Sequence, residues 1–288
     1  MWTKVYPKYL MGRIEDNENT YHRLDISCEN KKYEKILKYD CGVYFVFSCK
    51  TNILNIKTKF HYNGGFRKIS SELQVLGKLN NKWELLNKVT PLEKAESDKC
   101  IVLHFDLFKN NYEEFQICLP SQGRIEEYLW METDNEPEFK KLPLTGILMG
   151  SSVSQDNNSS SHMNICCYAY RKLNINIATV GISTYHTLNC KELLKKLLDM
   201  NDSIKLIMMD VYHIDNEILN NFKNDFKNKL LYFPVINSIC REDVKTICNN
   251  DKTLDVIHID GNGRYDEVHL NDYGTAIYLE KLIKKGIL

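Results

Sequence analysis

A change in the hydrophobic pattern near residue 140 most constrains how this chain can fold. Before it, short apolar runs such as 42–48 and 114–119 alternate with polar turns, and their side chains follow a period of two. After it, five short apolar runs alternate with segments of helical period. The first pattern is typical of antiparallel strands, and the second of parallel strands covered by helices. The sequence therefore predicts an all-β sandwich followed by an α/β/α domain.

The predicted division follows residue 138, at the end of a polar and acidic stretch, 132–138, that we interpret as a linker. Residues 1–138 would form a jelly-roll-like sandwich and residues 139–288 a flavodoxin-like three-layer α/β/α domain, which suits a chain long enough for about two domains. Strands are predicted at 146–150, 175–180, 204–209, 230–236 and 254–259, and helices at 162–173, 190–200, 216–229, 241–248 and 271–285.

The charge balance and the lengths of the apolar runs limit which partners we expect for this chain. The 38 Lys and Arg residues balance the 38 Asp and Glu residues, which argues against a nucleic-acid partner because such proteins usually carry a basic excess. We find no apolar run of about 18 residues and no apolar signal segment at the N-terminus, and so expect a cytoplasmic protein without a membrane partner. The ten cysteines lack zinc-type spacing, which predicts buried free thiols and no metal.

Two polar segments follow strands of the second half, where a parallel sheet places its functional loops. One contains Ser152 and the other contains Asp266 and His269. A serine hydroxyl needs an adjacent base to act as a nucleophile, which His269 could provide while Asp266 orients the imidazole. Each segment also has a purely structural interpretation, because Gly-Ser turns are common and Asn271 or Asp272 could cap the last helix.

The second half resembles the SGNH/GDSL hydrolases. Residues 150–155 resemble the family's Gly-Ser-Ser-Ile-Thr-Gln block, which implies that Ser152 is the nucleophile. The family's last block, Asp-x-x-His-Pro-x-x-x-Gly, matches Asp266, His269 and Gly274, with Leu270 in place of proline. The stretches 21–24, 41–53 and 115–123 resemble the β-sandwich that precedes some of these hydrolases. The resemblance therefore covers most of the chain.

The two middle blocks of the family depart from its pattern. The glycine that donates an oxyanion N–H aligns with Thr184, three residues after Gly181. The resemblance then implies an oxyanion hole formed by the backbone N–H groups of Ser152 and Thr184, with Gly181 of the same block as a further candidate. The asparagine expected after the third strand is missing, and His213 or Asn216 is the candidate substitute.

The resemblance implies a serine esterase that needs no metal or organic cofactor. Its expected substrate is a short acyl ester, such as an acetyl ester of a carbohydrate or small glycoside. Two alternatives stay open: a binding or regulatory protein on a degraded hydrolase scaffold, and an O-acyltransferase that uses the same acyl-enzyme. The run 159–162 is expected to be a flexible loop with a helix cap, or a lid over the site. The sequence leaves the oligomeric state open.

Overall fold

The computed structural model describes residues 1–14, 19–24, 34, 36–62, 72–89, 100–107, 111–150, 160–181, 191–200, 203–209, 216–236, 253–264 and 269–288. All structural statements below concern these residues. None of the helices among them is both long and apolar enough to span a membrane.

The first domain is the predicted β-sandwich, and its strands pair only in antiparallel fashion within the described residues. Its two sheets have the orders β1-β8-β3-β6 and β5-β4-β7-β2-β9. The strands are β1 (Trp2–Lys4), β2 (Tyr44–Ser48), β3 (Ile53–Tyr62), β4 (Leu73–Leu79), β5 (Lys82–Val89), β6 (Cys100–Asp106), β7 (Glu114–Cys118), β8 (Gly123–Glu132) and β9 (Glu138–Lys140).

The second domain contains a parallel five-stranded sheet of order β11-β10-β12-β13-β14, which confirms the predicted flavodoxin-like arrangement. Its strands are β10 (Leu144–Gly150), β11 (Asn176–Gly181), β12 (Leu206–Met209), β13 (Leu230–Ile236) and β14 (Leu254–Ile257). The helices between and after them are α1 (Ile165–Leu173), α2 (Lys191–Met200), α3 (Asn216–Asp225) and α4 (Asp272–Lys284). The helix predicted at 241–248 lies outside the described residues.

The acidic stretch 132–138 belongs to the sandwich and is not a linker. The Asp134 carboxylate accepts a hydrogen bond from the Asn52 backbone N–H at 2.7 Å, which ties the turn after β8 to the start of β3. The following strand, β9, pairs with β2. The chain therefore leaves the sandwich between Lys140 and Leu144, and the division predicted after residue 138 falls inside β9. Acidic side chains accept turn N–H groups as readily as they solvate a linker, which explains the difference.

A hydrophobic core is shared between the two domains. Successive side chains of a strand point to opposite faces, so Phe45 and Phe47 of β2 fill the sandwich interior while Tyr44 and Val46 face the second domain. Tyr44 there meets Tyr170 of α1, with ring centroids 5.6 Å apart. The five-stranded sandwich sheet is thus covered on both sides, and the domains pack as one body.

Buried polar groups complete this interface. The Gln116 side chain of β7 donates to the Cys167 carbonyl at 3.1 Å and accepts from the Arg171 guanidinium at 2.7 Å. The Gln74 side-chain oxygen of β4 accepts from the backbone N–H of His162 at 2.7 Å and bonds its Nδ1 at 2.6 Å. Polar groups that are paired inside a core specify one geometry, because alternatives would leave them unpaired. These contacts therefore fix how α1 sits on the sandwich.

Gly42 lies where the two domains approach each other closely. Its φ of 73° lies in the left-handed region. A Cβ atom there would lie 2.7 Å from the Asn164 Oδ1 and 2.9 Å from both the Cys166 Sγ and the Thr179 Cγ2. Glycine is required at this position for backbone conformation and for space.

Gly42→Ala is expected to destabilise the protein by about 2–4 kcal/mol, because it adds a steric clash to the left-handed strain. The matched control is Gly286→Ala, whose φ is also positive at 69° but whose Cβ would meet nothing within 4 Å. The control should lose only about 1 kcal/mol. Denaturant unfolding measures both, and equal losses would contradict the packing described here.

His162 is expected to make stability depend on pH. Burial, aided by the charges of Arg171 and Lys88 and opposed by Asp272, lowers the pKa of its imidazole to about 4. The unfolded chain, with an ordinary pKa near 6.5, then binds more protons than the folded one, so stability is present above pH 6.5 and is lost as pH falls toward 4.

His162→Asn keeps an N–H donor toward Gln74 but removes the titrating group. Between pH 7.5 and 5 the wild type should lose about 2 kcal/mol more unfolding free energy than this variant. Denaturant unfolding at both pH values makes the comparison. Parallel stability curves would show that His162 does not titrate between the folded and unfolded states.

Candidate active site

The candidate site lies at the carboxyl edge of the parallel sheet. Gly150 and Gly181 end the neighbouring strands β10 and β11 and are paired in register. On the other side of β10, Met149 pairs with Met209, the last residue of β12. The chain therefore leaves three adjacent strands at one edge, where loops of an open α/β sheet form binding sites.

The segment before α4 is held by several backbone and side-chain contacts. Leu270 forms an isolated bridge with Arg264, and the Asn271 side chain accepts from the Gly274 N–H at 3.0 Å, which caps the helix. The Asn271 amide also donates to the carbonyl of Asn262 at 2.8 Å. His269 directly precedes this constrained corner and is partly exposed. Its imidazole therefore extends from a backbone position that adjoins this constrained corner.

A pair of short hydrogen bonds joins the loop after β10 to the start of α4. The Ser160 backbone N–H donates to one carboxylate oxygen of Asp272 and the Ser160 hydroxyl to the other, each at 2.6 Å. Ser160 is buried, and Asp272 lies in the first helical turn, where a carboxylate is favoured by the helix dipole. We call this pair the Ser160–Asp272 clamp. It holds the ends of the two segments that carry Ser152 and His269 against one another.

Gly274, the last residue of the matched family block, has a structural role. A Cβ atom there would stand 1.9 Å from the carbonyl oxygen of Gly263. The same carbonyl accepts from the Asn271 N–H at 3.2 Å. Only glycine at 274 lets the first turn of α4 pack on residues 261–263, so the glycine fixes the corner that His269 precedes.

The structure places only some of the predicted site residues. His269 lies beside the clamp, and Gly181 is buried at the end of β11. Asn216 begins α3, so it follows β12 in the chain, but its side chain lies outside the described part. Ser152, Asp266, Thr184 and His213 also lie outside the described residues, and their roles stay predictions.

The lid interpretation of 159–162 is wrong for its two central residues. Ser160 and Ser161 are buried, and the Ser161 hydroxyl donates to the Glu72 carbonyl of the sandwich at 2.8 Å. Neither serine caps α1, since Asn164 does so by accepting from the Cys166 N–H at 2.9 Å. Sequence reasoning had assigned Asp272 only to helix capping, and its bond to Ser160 was missed. An aspartate directly after a capping asparagine was the available signal.

The described residues contain no group of three or more His, Cys, Asp or Glu side chains arranged to hold a metal ion. The segment that leads from β10 to α1 contains six serines in its sequence, and the residue of the imidazole, His269, is partly exposed.

No family model and no curated protein matches this chain by sequence. Solved structures do match over nearly its whole length. A protein described as a GDSL-like lipase, from Bacteroides ovatus, is 16% identical with a TM-score of 0.74, covering 100% of this chain and 97% of its own. A salicylyl-acyltransferase from a tetracycline biosynthetic pathway is 12% identical with a TM-score of 0.64, covering 100% and 98%.

A family two carbohydrate esterase from Clostridium thermocellum, solved with cellohexaose, is 10% identical with a TM-score of 0.53, covering 85% of this chain and 93% of its own. Identities this low speak for the fold alone. The matches cover 85–100% of this chain and so include both of its domains. The chain therefore has the fold of the SGNH/GDSL hydrolases, with a β-sandwich in front of the α/β/α domain.

Proposed function

We propose that this chain is a serine esterase that removes short acyl groups, such as acetyl, from carbohydrate or small glycoside esters. The observation that carries the proposal is the Ser160–Asp272 clamp, which joins the residue before the 3-10 turn that precedes α1 to the first turn of α4, three residues after His269. A nucleophile and its base must come within hydrogen-bond reach, and we expect the clamp to favour that approach.

In the proposed reaction, the Ser152 Oγ attacks the ester carbonyl while His269 accepts the hydroxyl proton. Asp266 accepts a hydrogen bond from the imidazole Nδ1–H and stabilises the cation that forms. The backbone N–H groups of Ser152 and Thr184 receive the oxyanion. His269 then protonates the leaving alcohol, and water activated by the same imidazole hydrolyses the acyl-enzyme to the acid.

The choice of substrate rests on the structural neighbours. Two of them are family two carbohydrate esterases, one from Clostridium thermocellum solved with cellohexaose and one from Cellvibrio japonicus. A balanced net charge of zero suits a neutral ester better than a polyanion. These points favour an acylated sugar over a phosphorylated or nucleic-acid substrate.

An O-acyltransferase is the second candidate, because the salicylyl-acyltransferase matches 100% of this chain at a TM-score of 0.64. Both reactions begin with the same acyl-enzyme and differ in whether water or an alcohol removes the acyl group. Turnover of an aryl acetate with and without a monosaccharide separates them. Acetate as the main product in both cases supports the esterase, whereas acetylated sugar with little acetate supports the transferase.

A fluorophosphonate probe is expected to add to wild-type protein once, on Ser152, with loss of fluoride. Ser152→Ala should abolish the adduct, and His269→Ala should slow labelling by about 10³-fold or more, because the hydroxyl then lacks its base. Intact mass followed by peptide mapping measures the adduct. Ser151→Ala is the matched control, since it removes the neighbouring hydroxyl and should label at the wild-type rate.

A folded wild-type protein without any adduct would overturn the esterase and the transferase together. It would favour a binding protein on a degraded hydrolase scaffold, an alternative motivated by the missing oxyanion asparagine after the third strand. An adduct on Ser151 that persists in Ser152→Ala would instead show that the family alignment misassigns the nucleophile by one residue.

A further inference from the structure

The first domain contributes a buried arginine to the edge of the parallel sheet. Arg23 is 0% exposed, and its guanidinium donates to three main-chain carbonyls among the described residues. Its guanidinium binds Leu37 at 3.3 Å and Ile36 at 3.1 Å in the first domain. It also binds Gly181 at the end of β11, at 3.4 Å. One side chain therefore connects the two domains beside the candidate site.

Burying the charged Arg23 side chain costs folding free energy that a residue needed only for packing would not incur. Burial lowers the pKa of the Arg23 guanidinium, yet arginine stays cationic in proteins, so the charge itself is desolvated. An apolar side chain of similar length would avoid this penalty. What the guanidinium adds is a planar set of donors that binds several carbonyls in fixed directions.

The Gly181 carbonyl, which Arg23 binds in the second domain, lies at the end of a strand that borders the candidate site. Gly181 is the last residue of β11 and is paired with Gly150, from which the chain continues to Ser152. The Gly181 carbonyl belongs to the peptide unit that starts the segment leading to Thr184. A hydrogen bond to a planar peptide fixes the direction in which the chain leaves the strand. Arg23 thus acts where the predicted oxyanion segment begins.

We propose that Arg23 is a positioning residue, supplied by the sandwich domain, that orients the end of β11 and hence the oxyanion donor that follows it. The proposal rests on the proposed esterase function. It gives the sandwich a part in catalysis. The guanidinium is bound to the Ile36 and Leu37 carbonyls of the first domain, so its bond to Gly181 positions the end of β11 relative to that domain. Arg23 itself does not contact the substrate.

The test compares Arg23→Lys and Arg23→Gln with Arg13→Lys. Arg13 is the matched control, since it is also buried, at 3% exposure, and donates to the carbonyls of Pro7 and Thr20 within the first domain. Lysine keeps the charge but cannot bind three carbonyls as a fork, and glutamine keeps a planar donor without the charge. Steady-state turnover of an aryl acetate, thermal unfolding and backbone hydrogen exchange are measured on each full-length variant.

We expect Arg23→Lys to lower kcat by about 10²-fold with KM within about threefold, because a misplaced oxyanion donor weakens the transition state and not substrate binding. Exchange at residues 176–181 should become faster in the Arg23 variants alone. Arg13→Lys should show a similar loss of thermal stability with wild-type kcat. If kcat follows thermal stability equally in the Arg13 and Arg23 variants, or if the Arg23 variants keep both kcat and slow exchange, the positioning role is wrong.

The esterase function and the positioning role of Arg23 can be refuted independently of each other. A wild-type protein that neither labels with fluorophosphonate nor turns over the ester refutes the esterase function. The exchange comparison then still decides whether Arg23 holds the end of β11, since it needs no activity. An active wild type whose Arg23 variants remain fully active refutes the positioning role and leaves the esterase function intact.

Discussion

The burial of both faces of β2 is the constraint on which the rest of the structure depends. The strand turns two phenylalanines into the sandwich and turns Tyr44 and Val46 toward α1 of the second domain. A sheet with two apolar faces cannot leave one in water, so the α/β/α domain has to cover it. The sandwich and the α/β/α domain are thereby locked as one packing unit. Relative motion of the domains would expose this shared core.

The packing of the two domains also determines the geometry of the candidate active-site edge. Helix α1 follows the loop that bears Ser152, and its N-terminal end is fixed to the sandwich through Gln74 and Glu72. The clamp then joins the same stretch to α4, directly after His269. Arg23 reaches the neighbouring strand end from the other side of the interface. Under the proposed function, the first domain is a structural part of the candidate site and is not an independent module.

Local periodicity in the sequence predicted the architecture of both domains and the approximate bounds of the parallel strands. Strand and helix periodicity indicated the two architectures, and the five parallel strands lie within a few residues of their predicted bounds. Local pattern could not separate an acidic turn from a linker at 132–138, because both favour the same residues. A period of two indicated half-buried strands, although the unbroken apolar run 43–47 already suggested burial on both faces.

Local sequence pattern could not predict the contacts that join distant parts of the chain at the candidate site. Ser160 and Asp272 are 112 residues apart, and Arg23 and Gly181 are 158 apart. No local period reports a partner at that distance, and each side chain taken alone has an ordinary explanation as a cap or a surface group. The family blocks supplied His269 and Gly274 because their spacing lies within one short segment. The catalytic roles of Ser152, His269, Asp266 and Thr184 remain predictions from the resemblance.

The most direct test of the central claim is the fluorophosphonate labelling rate of Asp272→Asn. The amide can accept one bond from Ser160 but offers a nitrogen where the second carboxylate oxygen was, so one buried donor loses its partner. Asp134→Asn is the matched control, because Asp134 also accepts from a backbone N–H and a hydroxyl, in the sandwich far along the chain. We predict that Asp272→Asn slows labelling by about tenfold or more while the control labels at the wild-type rate. Equal rates in folded Asp272→Asn, Asp134→Asn and wild type would contradict the proposal that the Ser160–Asp272 clamp assists the reaction of the nucleophile.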